Sequence, residues 1–67
     1  MYRHAGSISG NNADNPHERM YLLSGKAEIT LSDHSQVIEA PCVFEFPAYT
    51  YHQLLAVTDI VCVLFVG

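Results

Sequence analysis

Residues 17–31, HERMYLLSGKAEITL, decide the fold. They read as two short strands joined at Ser24-Gly25. Residues 19–23 are rich in strand formers and hold neither Pro nor Gly. Residues 26–32 alternate: Ala27, Ile29 and Leu31 point one way, and Lys26, Glu28, Thr30 and Ser32 the other. That pattern is a strand with one buried and one wet face. His17 and Glu18 stand at the entrance, where titratable groups run straight into apolar sequence. Parity puts Glu18 on a face with Met20 and Leu22, and His17 with Arg19, Tyr21 and Leu23. A carboxylate aimed into an apolar interior is costly unless it is paired or bound to a metal.

Upstream, residues 1–16 are an N-terminal arm and loop. Residues 1–4 suit an edge strand, and residues 6–16, GSISGNNADNP, carry loop chemistry throughout. So long a loop in a small domain is functional or disordered. Downstream, residues 32–35 form a turn with His34 exposed at its tip, and residues 36–40 return as the second strand of a hairpin. Pro41 breaks the chain. Cys42–Phe46 is the next strand, with Phe44 and Phe46 on its core face. Residues 47–51 turn, and Tyr49 and Tyr51 read as contact aromatics rather than pocket lining. His52 opens the strand 52–57 in an apolar row with Leu54 and Ala56. After Thr58-Asp59, Ile60–Val66 is apolar on both faces, so it needs cover on both sides. No segment keeps a helical period for more than a turn. The whole is all-β: six to eight short antiparallel strands in a small barrel or sandwich.

Sixty-seven residues make one domain, 1–67. Half-apolar composition (49%) with 15% charged residues is a globular balance. A domain this small buries only about 60% of its unfolded surface, so it gains from metals, disulfides or partner subunits. With no helix to cover Ile60–Val66, a homo-oligomer through that strand and its neighbours is the expected source of cover. A net charge of -4 with three Lys and Arg residues argues against nucleic acid and anionic membrane as partners. No secretory signal and no apolar run of membrane length is visible. Cys42 and Cys62 lie in apolar strands and read as reduced, buried thiols. Both points suggest a cytoplasmic, intracellular protein.

Two fragments resemble the cupins, the small jelly-roll barrels. The family's first motif sets a Gly, a His-x-His pair, a Glu and a second Gly at fixed spacing. Gly6, Asn12, Asp14, Glu18 and Gly25 fall at those places, with Asn12 and Asp14 replacing both histidines. The second motif sets a Gly, Pro-x-Gly, His and Asn. Pro47 and His52 match it, while Pro41, Tyr49 and Ala56 stand where the glycines and Asn would be. The resemblance covers the chain from about Gly6 to Phe65 and implies a cupin-type jelly-roll barrel.

In that family the two histidines, the glutamate and the later histidine hold one divalent metal inside the barrel. Position by position, the resemblance carries this role to Asn12, Asp14, Glu18 and His52. Mostly oxygen donors favour Mn, Mg or Ca over Zn, and a carboxylate–histidine set also suits Fe. His17 supplies a second imidazole if a bulge breaks parity at the strand entrance, and His4 if the arm reaches the mouth. Without metal, Glu18 and His52 pair with each other.

The first functional reading is therefore a cupin-fold protein binding a divalent ion or small ligand inside the barrel. The alternative is a non-catalytic structural or assembly module. The second half of the chain also looks like small bacteriophage proteins, so that module would sit in a virion. A third reading is a metal-dependent enzyme of dioxygenase or sugar-isomerase type, from which the ligand set departs. The sequence selects no reaction and no substrate.

Overall fold

The structure is a computed structural model, and residues 1–11, 16–32 and 34–66 are described. All its regular elements are strands: β1 (Tyr2–Arg3), β2 (Ile8–Asn11), β3 (Glu18–Ser24), β4 (Lys26–Leu31), β5 (His34–Glu39), β6 (Cys42–Phe46), β7 (His52–Ala56) and β8 (Ile60–Val66). They form two four-stranded antiparallel sheets in the orders β1-β8-β3-β6 and β2-β7-β4-β5. Pairing first with last, second with seventh, third with sixth and fourth with fifth is the eight-stranded jelly roll. The chain has the all-β cupin-type architecture that its sequence implies.

Ser24-Gly25 is not a hairpin turn. β3 bonds to β6 and β8 in one sheet, and β4 to β5 and β7 in the other, so the chain changes sheets at Gly25. The expected hairpin closes β4 on β5, with Leu31 opposite His34. His34 is exposed, as expected, but opens a strand rather than sitting on the turn. The long loop 6–16 is also shorter than its composition suggests. Ile8–Asn11 is a strand, because β7 offers Ile8 and Ser9 an edge opposite Leu55 and Leu54. Pairing with a neighbour overrides the weak strand preference of Ser, Gly and Asn.

Both sheets turn alternate residues inward. Met20, Leu22, Phe46, Ile60 and Cys62 from the first meet Ala27, Ile29, Ile38, Leu54 and Ala56 from the second. Phe46 is buried and Phe44 packs partly on the core, as their parity implies. The outward row of β8 behaves otherwise: Val61, Val63 and Phe65 are exposed, and Phe65 is covered in part by the edge of Tyr21, with ring centroids 5.5 Å apart. Cys42 and Cys62 are free thiols. Both lie opposite Leu22, one on each side of β3. Two strand spacings, about 9.6 Å, separate them, too far for a disulfide.

Candidate functional site

Glu18 begins β3 in one sheet, and His52 begins β7 in the other. Each starts an inward row, Glu18 with Met20 and Leu22, His52 with Leu54 and Ala56. The two sheets face one another, so side chains far apart in sequence meet inside one end of the barrel. Glu18 is 9% and His52 4% exposed, and among the described residues they are the charged or polar ones buried with the core. Glu18 Oε1 lies 3.9 Å from His52 Nε2. That is ion-pair range for a protonated imidazole and longer than a hydrogen bond. Phe46 sits opposite Glu18 in the sheet register and stacks on the His52 ring, centroids 4.2 Å apart and planes 24° apart. The stacking fixes the plane of the imidazole.

Beside the pair opens a cavity of about 170 Å³. Most of its wall is apolar, including Met20, Phe46, Leu54 and Leu64, and its polar lining is Glu18, His52, Arg3 and Ser9. A cavity near 150 Å³ accommodates a molecule the size of benzene. Arg3 and Ser9 had escaped the sequence reading. Ser9 lies opposite Leu54 and Arg3 opposite Ile60, so both share an inward register. The only sequence signal for Arg3 was its place in a possible edge strand, with no partner to set its face.

The other candidate ligands stand elsewhere. His17 does not line the cavity: its Nε2 is 3.7 Å from Glu45 Oε1 on the outer face, where Glu45 also accepts two bonds from Arg19 at 2.9 and 3.1 Å. No bulge turns His17 inward; the irregularity in β3 lies between Leu22 and Ser24. His4 packs edge-on against Tyr2, Nδ1 3.5 Å from the hydroxyl, and does not line the cavity. Asn12 and Asp14 lie outside the described residues. Among the described residues, no three His, Cys, Asp or Glu side chains gather as a metal group. Glu18 and His52 are two donors, whereas divalent ions in proteins take about four to eight. On their own they do not make a metal site. Tyr49 and Tyr51 are exposed and do not line the cavity.

No protein-family profile matches the sequence, and no curated protein does. Solved structures do match in shape. A conserved protein of unknown function from Streptococcus pyogenes superposes with a TM-score of 0.87 at 25% identity, over 94% of this chain and 55% of its own. A cupin superfamily protein from Desulfitobacterium hafniense gives 0.83 at 19%, over 94% and 58%. A DUF861 family protein from Thermotoga maritima gives 0.83 at 20%, over 100% and 75%. The fold is that of a small cupin domain. The chain spans a little over half the length of the first two of these structures.

Proposed function

We propose that this is a ligand-binding cupin domain whose site is the cavity beside Glu18 and His52. The observation that supports it is the meeting of a buried carboxylate and a buried imidazole, from opposite sheets, at the wall of an otherwise apolar hollow. Burying such groups in a domain this small is costly, and a conserved fold alone does not require it. A space lined mostly by carbon with a few polar contacts is the usual make-up of a small-molecule site. The matching ligand is compact and largely apolar, with a donor for Glu18 and a second polar group for His52. A divalent ion is the second reading, favoured by the carboxylate–imidazole pairing. It would draw further donors from Asn12, Asp14, water or the ligand itself.

The test is thermal unfolding of the purified protein against a fragment library and, separately, against Mn, Fe, Mg, Ca and Zn salts, with elemental analysis alongside. A bound ligand raises the midpoint by mass action. The shift is expected in the wild type and lost in Glu18→Gln and His52→Ala. Metal bound stoichiometrically and lost in both variants would make the ion the occupant. Shifts that survive both substitutions would place binding elsewhere and defeat the proposal.

A further inference from the structure

We infer that the cavity takes a short carboxylic acid with a hydrogen-bond donor at its far end, and that Arg3 holds the carboxylate. This rests on the cavity being the ligand site and adds the charge of what enters it. The chain has three Lys and Arg residues. Arg19 is paired with Glu45 on the outer face, and Lys26 does not line the cavity. Arg3 does line it, and among the described residues no carboxylate forms an ion pair with it. A guanidinium offers a planar fork of donors that matches a carboxylate bidentately.

Two features set Arg3 apart from an ordinary solvated arginine. It lies opposite Ile60, which is fully buried, so its row faces the core, whereas Tyr2 lies opposite the exposed Val61. Arg3 itself remains exposed, which puts it at the cavity mouth. Its backbone is also fixed on both sides. A two-residue edge strand frays unless it is tied down. Before Arg3, Met1 and Cys62 exchange two backbone bonds, at 2.7 and 2.8 Å. Around it, Tyr2 and Ala5 both bond to Asp59, at 2.8 and 2.7 Å. A residue already held in place loses less freedom when a ligand arrives.

The cavity is polar at two ends and apolar between. β8 lies between β1 and β3, with Arg3 opposite Ile60 at its start and Glu18 opposite Val66 at its end. The inward residues between them, Cys62 and Leu64, line the cavity together with Met20. His52 stands at the Glu18 end. A ligand carboxylate at that end meets a like charge, and at Arg3 an opposite one. The molecule that fits therefore carries its anion at the mouth and an apolar stem along Met20 and Leu64. Its far end is a hydroxyl or amine that donates to Glu18. A dicarboxylate of the same length would set its second charge against Glu18. The net charge of -4 gives no general attraction for an anion, so the affinity comes from Arg3 locally.

NMR titration of the full chain with 6-hydroxyhexanoate, its primary amide and the dicarboxylate adipate tests this. The hydroxy acid should bind about tenfold more tightly than its amide, and adipate no more tightly than the amide. Arg3→Gln should bring the hydroxy acid down to the amide's affinity, and Arg3→Lys should keep part of the difference. Arg3 is exposed, so both variants should keep the wild-type circular dichroism spectrum. Acid and amide binding alike, with both lost in Glu18→Gln, would leave the cavity a ligand site and overturn the role of Arg3. A preference for the acid that survives Arg3→Gln and disappears in His52→Ala would assign the anion to the imidazole and overturn it as well. Binding of none of the three in any form of the protein would overturn this inference and count against the ligand site on which it rests.

Discussion

Gly25 is where single-residue chemistry decides the fold. Its φ is +94°, and a Cβ there would run into the carbonyl oxygen of Asp59 and lie 2.8 Å from Ile60 Cγ2 and 2.9 Å from Thr58 Oγ1. Gly25→Ala should therefore cost more than the usual ~1 kcal/mol of a strained backbone, about 2–4 kcal/mol in all. Urea unfolding would read it as a lower midpoint at constant slope. If the midpoint stays put, the corner is looser than its contacts indicate. At this scale the sequence was informative where parity applies. Glu18 and His52 each began an apolar row, and both rows point inward. Arg3 and Ser9 were not legible, because a side chain in a short edge strand gets its direction from the partner strand, and the partners lie more than forty residues away.

Among the elements, the N-terminal arm is held by backbone pairing to β8 and, beyond that, by one carboxylate. Asp59, in the turn before β8, accepts the Ala5 N–H at 2.7 Å and the Tyr2 hydroxyl at 2.8 Å. The Ala5 bond, then the Tyr2 bond, favour the ionised form and lower its pKa below the ordinary 3.8. The same contact raises that of Tyr2 above 10.0. A depressed carboxylate contributes stability above its unfolded value and loses it as pH falls through the folded one. The arm should thus stay docked at neutral pH and loosen only below about pH 4. NMR of Tyr2 and Ala5 should show this titration, and Asp59→Asn should abolish it. A titration unchanged in that variant would assign the transition to another group. β2 is the element least visible beforehand, since its strand state comes from β7 and not from its own residues. β8 was visible in full, as seven consecutive apolar residues.

For the molecule as a whole, strand number and type followed from alternation and breakers, but strand order did not. Nothing local says that Glu18 pairs with Val66, or Tyr2 with Val61. The resemblance to cupins implied a jelly-roll barrel, and the order itself came from the structure. Such distant pairings must close long loops before any contact rewards them. Refolding from urea should accordingly take milliseconds to seconds despite the short chain, as stopped-flow fluorescence of the tyrosines would record. Microsecond refolding would mean that local hairpins, such as β4–β5, carry the nucleus. The two thiols astride Leu22 have a consequence for the environments this barrel tolerates. No oxidant can staple the sheet through them, and no reductant can unpick it. Its shape therefore owes nothing to a bond between these two thiols, whether the surroundings are oxidising or reducing.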